Sequence, residues 1–120
     1  MSYSREVLDH FEHPRNVGEL ADADAEVRLE HPVCGDIMKL AVKLVGERIE
    51  QVRYKTRGCV ASIAAGSCLT EMIQGKSVAE ARALNRDRLV EALGGLNNAS
   101  MHASHLAMDA LEQVLTKLKS

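Results

Sequence analysis

VRLEHPVCGDIMKLAVKLVGERIEQVRYKT, residues 27–56, decides the fold. Val27, Leu29, His31 and Val33 alternate with Arg28 and Glu30. Ile37, Leu40, Val42 and Leu44 mostly alternate with Lys39 and Lys43. From Ile49 to Thr56, Val52 and Tyr54 take one face, Arg53 and Lys55 the other. A period of two is the mark of a half-buried strand, and Gly46-Glu47-Arg48 reads as a hairpin turn. Three short strands with tight links predict an antiparallel meander with one wet face.

The chain changes character on either side. Ser4 to Glu12 reads as a short helix capped by Ser4, with Val7, Leu8 and Phe11 as its apolar stripe and His13-Pro14 as its stop. Asn16-Val17-Gly18 is a turn, and residues 21–25 a small polar linker. After Cys59, the small and apolar residues Ala61, Ile63, Ala64, Ala65, Leu69, Met72 and Ile73 suit a helix that ends at Gly75. Ser77 and Glu80 form a capping box for a short helix. Asn85 or Arg86 opens another, which Gly94-Gly95 ends. Asn97 to Ser100 is a loop, and Met101 to Lys117 is the last helix. Strands first and helices second make an α+β fold: a three-stranded antiparallel sheet followed by, and covered by, helices.

Composition narrows the function classes. The 120 residues match one domain, expected to span 1–120. Phe11, Tyr3 and Tyr54 are the only aromatics, too few for a base-stacking platform. A net charge of −2 lacks the basic footprint that phosphate backbones require, so no nucleic-acid partner is expected. No apolar run approaches the roughly 20 residues of a membrane span, and the polar N-terminus does not read as a secretory signal. The expectation is a cytoplasmic protein without a membrane partner.

The three cysteines are Cys34, Cys59 and Cys68. An odd count in a reducing compartment points away from a disulfide framework. Up-down-up connectivity puts the end of strand one, the start of strand two and the end of strand three at one end of the sheet. Cys34, Asp36 and Cys59 therefore fall together. Gly35 allows a sharp bend that exposes Cys34 and Asp36, and Gly58 is expected to do the same before Cys59. Cys59 also starts a helix, where unpaired N–H groups favour a thiolate. Two thiolates and a carboxylate lack one donor for a tetrahedral site. His102, at the start of the last helix, is the candidate, on a polar stripe with His105, Asp109 and Gln113 opposite Met108, Leu111, Leu115 and Leu118. On the residues alone, Cys34 as a strand-end hydrophobe, Cys59 as a helix-start residue without a role, and His102 and His105 on a solvated face all stay open.

The motifs go further. Tyr3-Ser4 through Asp9-His10, then His13-Pro14-Arg15-Asn16-Val17-Gly18, resembles the opening of IscU/NifU-type iron–sulfur cluster assembly scaffolds. His31-Pro32-Val33-Cys34-Gly35-Asp36-Ile37-Met38-Lys39-Leu40 resembles their first ligand motif. Lys55-Thr56-Arg57-Gly58-Cys59, with the small-residue helix through Thr70-Glu71 to Gly75-Lys76, resembles the second. His102 through Ala110 resembles the third, which in the family normally reads His-Cys-Ser. The resemblance covers essentially the whole chain. It implies a SufE/NifU-like fold and a protein that is not an enzyme. Such a scaffold takes sulfur from a cysteine desulfurase and iron from an iron donor, builds a [2Fe–2S] cluster, and passes it to recipient apo-proteins. Cys34, Asp36, Cys59 and His102 then bind iron or the cluster, and zinc occupies the site when iron is absent.

Two positions depart from the family pattern. The third cysteine is replaced by Ala103, expected in the first turn of the last helix where a thiolate would gain from the helix N-terminus. Cys68 does not substitute for it: nine residues after Cys59 is 2.5 turns, so Cys68 reads as core. The segment recognised by a dedicated Hsp70-type chaperone reads Leu-Pro-Pro-Val-Lys in the family and Leu96-Asn97-Asn98-Ala99-Ser100 here, so the resemblance does not carry that partnership over. The alternatives are a zinc-binding relative that has lost cluster assembly and a sulfurtransferase using Cys59 as nucleophile. A monomer and a homo-oligomer are both compatible with the sequence.

Overall fold

A computed structural model describes residues 3–118. Its elements run α1 (Arg5–Glu12), β1 (Ala25–Glu30), β2 (Ile37–Val45), β3 (Arg48–Arg57), α2 (Val60–Ile73), α3 (Val78–Arg82), α4 (Arg86–Ala92), a 3₁₀ turn (Asn98–Ser100) and α5 (His102–Leu118). The sheet order is β1-β2-β3, antiparallel throughout, which is the meander expected from the period-two pattern. One face of the sheet is covered by α2 and α5, and α1 packs on α2. Val27, Met38, Leu40, Val42, Ile49, Val52 and Tyr54 from the sheet meet Ala61, Ala64, Ala65, Leu69, Ala107, Ala110 and Val114 from the helices in one core. The other face is wet, and there Glu19 bridges Lys39 (3.4 Å) and Lys55 (2.9 Å).

The helix and sheet layers approach closely at one glycine. A Cβ on Gly66 would lie 2.4 Å from the Tyr54 ring, so α2 rides against β3 where only glycine fits. Tyr54 itself is 2% exposed, donates its hydroxyl to the Ile63 carbonyl at 2.7 Å, and has its pKa pushed up to about 12 by burial.

The caps follow the sequence. Ser4 accepts the Val7 N–H, Ser77 and Glu80 make the reciprocal capping box, and Asn85 accepts the Arg88 N–H. Two expectations fail. The first strand, expected to run to Cys34, ends at Glu30: the His31 N–H donates to the Asp36 carbonyl, the Gly35 N–H to the His31 carbonyl, and the chain turns into a hairpin loop. Val33 is 89% exposed instead of alternating inward. The apolar stripe of α1 is also wrong. Val7 and His10 are buried, whereas Leu8 and Phe11 are largely exposed, because α2 presents Ser67, whose hydroxyl sits 2.7 Å from His10 Nδ1. The Asn16–Gly18 turn forms as expected and also pairs with β3: Gly18 N–H donates to the Tyr54 carbonyl and Tyr54 N–H to the Asn16 carbonyl.

Candidate metal centre

The β1–β2 hairpin loop, the N-terminus of α2 and the first residue of α5 meet at one end of the sheet. Cys34 lies in that loop and is exposed, not on a strand end as expected. Gly35 beside it has φ +78°, a conformation that lets the loop close, and Asp36 immediately precedes β2. Ligand atoms of Cys34, Asp36 and His102 lie within 4.8 Å of one another. Cys59 is the N-cap of α2, and its side chain makes no capping bond. It stands outside that close trio but touches two of its members: Sγ is 3.5 Å from His102 Nε2, and its N–H donates to Asp36 Oδ2 at 3.4 Å. His102 Nε2 is also 3.5 Å from Asp36 Oδ2.

Asp36 is the hub. Its side chain is only 12% exposed. Burial alone would raise its pKa. The Ser62 hydroxyl, which donates to Oδ2 at 2.6 Å, the side chain and N–H of Cys59, and the nearby His102 outweigh burial and hold the carboxyl below its ordinary value. The carboxylate is thus ionised and aimed by donors from α2. Gly58 has a different reason from the one read in the sequence. It has no positive φ; a Cβ there would stand 2.5 Å from Asp36 Cγ, so glycine leaves room for the carboxylate.

Two contributors were missed. Ser62 sits three residues after Cys59, at the spacing that puts two helix-start residues side by side, and its Oγ is 3.4 Å from Cys59 Sγ. His31 closes the hairpin loop and lies edge-on to His102, with ring centroids 5.5 Å apart. Three other residues stay outside. Cys68 is 3% exposed, contacts Met72 Sδ at 3.9 Å, and has its thiol pKa raised to about 11 by burial, as a core residue should. His105 is exposed and 3.1 Å from Arg86 Nη1. Ala103, the second residue of α5, is fully buried in the hydrophobic core. It lies in the first turn of the last helix, as expected, and there it faces the packed hydrophobic core.

The donor set is two thiols, a carboxylate and an imidazole. Around one tetrahedral ion with bonds of about 2.0–2.3 Å, ligand atoms stand roughly 3.3–3.7 Å apart, and the two 3.5 Å separations at His102 match such edges. Among the described residues no helix is long and apolar enough to cross a membrane.

The chain is similar to several known proteins. The NifU-like N terminal domain family matches residues 2–120. The iron-sulfur cluster assembly scaffold protein IscU 1 of Archaeoglobus fulgidus is 48% identical over 113 residues, 94% of this chain and 74% of that protein. IscU of Escherichia coli K12 is 42% identical over 124 residues, 100% of this chain and 96% of that protein. Two solved structures share the fold. A NifU-like N-terminal protein from Brucella abortus aligns with a TM-score of 0.77 at 17% identity, over 97% of this chain and 93% of that one. A putative iron-sulfur cluster assembly scaffold for the SUF system from Fervidobacterium islandicum AW-1 reaches 0.79 at 20% identity, over 94% and 96%. The chain belongs to the NifU-like N-terminal domain family, the family of the IscU-type iron–sulfur cluster assembly scaffolds.

Proposed function

We propose that this protein is a scaffold on which a [2Fe–2S] cluster is assembled and from which it is passed on, and that it is not an enzyme. Iron and sulfide are its cargo. The observation that carries the reading is the approach of Cys34, Asp36 and His102 to within 4.8 Å, with Cys59 against His102, in a chain of this family. Cys34 and Cys59 supply thiolates, the soft ligands that iron–sulfur clusters require, and His102 adds a nitrogen of the kind that serves in Rieske centres. Asp36 is the hard ligand of the set and the easiest to exchange, which suits a site that must let its cargo go. The sulfur source is a cysteine desulfurase, iron comes from a donor, and recipients are apo-proteins. The exposure of Cys34 supports delivery to it from outside. The 96–100 segment, whose Asn97 caps a 3₁₀ turn, lacks the lysine and prolines of the family's chaperone motif, and we assign no chaperone partner to it.

A second reading is a zinc-binding relative. It is favoured by the buried Ala103, which leaves two thiolates, and by the two 3.5 Å separations at His102, which match edges around one tetrahedral ion. Anaerobic reconstitution of metal-stripped protein with ferrous iron and sulfide decides. Two irons and two sulfides per chain, with visible charge-transfer absorbance, support the scaffold. A chain that takes up one zinc and no sulfide refutes it.

A further inference from the structure

His31 is the one residue that every part of the Cys34 loop leans on. Its N–H donates to the Asp36 carbonyl at 2.7 Å, and its carbonyl accepts the Gly35 N–H at 2.9 Å. Its ring continues the job: Nδ1 stands 3.3 Å from the N–H of Val33 and 3.3 Å from the N–H of Cys34. The backbone bonds are available to any residue. The ring bonds need an acceptor at that place. Pro32 contributes no N–H and the Val33 side chain is 89% exposed, so among the described residues the His31 ring is what holds the Cys34 amide.

The chemistry of the ring excludes a simpler role. The lone pair of an Nδ1 that accepts two amide hydrogens is committed to them, so that nitrogen is not offered to a metal while the loop is held this way. His31 therefore acts through the loop. Its other contact is the edge-on packing against His102, at a ring separation and 63° tilt ordinary for aromatic pairs.

We infer that His31 is a positioning residue of the cargo site: Nδ1 pins the Cys34 amide, and the ring sets the orientation of His102, so that one side chain outside the ligand set aligns two members of it. The inference rests on the reading of this cleft as a metal site. Partners of metal ligands that make no metal bond themselves commonly change affinity 10–100-fold when removed.

The test uses Co²⁺ as a probe on the full chain, read by thiolate-to-cobalt charge-transfer absorbance. His31→Asn keeps an acceptor oxygen close to the Nδ1 position. His31→Phe keeps a ring and loses the acceptor. His31→Ala loses both. We expect Co²⁺ affinity to fall about tenfold in the Phe variant and at least as far in the Ala variant, and to return to within about threefold of wild type with Asn. Unfolding midpoints of the metal-free variants are measured alongside, and the Asn-against-Phe comparison still decides if the Ala variant does not fold. Equal affinities in wild type and the Phe variant, or an Asn variant no better than Phe, overturn the role. Cys34→Ser separates the two levels. If it leaves the cobalt spectrum and affinity unchanged, the site reading itself has failed. If it weakens the charge-transfer band, leaving the share of Cys59, while His31→Phe changes nothing, only the positioning role has failed.

Discussion

Gly58→Ala should act on Asp36 and on little else. The backbone at 58 has no positive φ, so alanine fits the dihedral angles and, by restricting the unfolded chain, would by itself add about 0.4–1 kcal/mol of stability. Its Cβ, however, would stand 2.5 Å from Asp36 Cγ and 2.8 Å from each carboxylate oxygen, where carbon contacts settle at about 3.5–4 Å. The carboxylate must retreat by roughly 1 Å. That lengthens the 2.6 Å Ser62–Asp36 bond beyond hydrogen-bonding range. Asp36 is 12% exposed, so water replaces the lost donors poorly, and a bond to a charged group is worth about 1.5–3 kcal/mol. The expected cost is about 2 kcal/mol, less the entropic gain. The three closest atoms all belong to Asp36, so in an Asp36→Ala background the same substitution should cost nothing or stabilise slightly. Urea unfolding of the four proteins in metal-free buffer gives the cycle. A coupling of at least 1 kcal/mol is expected. Costs that agree within about 0.5 kcal/mol in the two backgrounds would refute the steric account.

Four further outcomes follow from the same geometry. Asp36→Ala should lengthen the life of a bound cluster, read as slower loss of visible absorbance in air, because the hard, exchangeable ligand is gone; equal or faster loss contradicts this. Thiol reagents should modify Cys34 first, Cys59 more slowly, and Cys68 only on unfolding, in keeping with their exposed, half-buried and buried positions. Ala103→Cys adds a sulfur to a fully buried place, so we expect about 1–3 kcal/mol of destabilisation and a thiol as inert as Cys68; a fast-reacting new thiol with firmer cluster retention would show that the first turn of α5 moves to expose it. His10 is held below its ordinary pKa by burial and then by Arg15, so the fold keeps it neutral. Its contribution is fully present above the unfolded value of about 6.5 and is lost as pH falls through the folded pKa, so the melting temperature should drop from pH 7.5 to 5.5, and His10→Gln should flatten that slope.

The sheet was legible because its residues alternate, and alternation survives any loop error. Connectivity then forced Cys34, Asp36 and Cys59 to one end with no knowledge of contacts. The cap residues Ser4, Ser77 and Asn85 were legible for a local reason: each bonds within three residues of itself. What failed depended on partners distant in sequence. The stripe of α1 was misread because Ser67, 57 residues after His10, makes an imidazole welcome inside. Gly58 was read as a bend when its absent side chain is space for Asp36. Ala103 was placed by helix position alone, whereas its burial is set by the layer beneath it. Ser62 and His31 carried signals too weak to outrank ordinary helix and strand residues until the loop and α2 stood side by side.

The donors come from three stretches of chain, around residue 35, around residue 60 and at 102, and none of the stretches holds more than two of them. An unfolded chain therefore has no site, and whatever binds here draws the three stretches together and stabilises the fold by mass action. The reverse also holds. Detaching the first turn of α5 withdraws His102 alone, and lifting the hairpin loop withdraws Cys34 and Asp36 as a pair. Each partial opening leaves the other donors standing, so a partner that pries up one edge can take a load over in stages, with ligands exchanged one or two at a time while the core below stays packed.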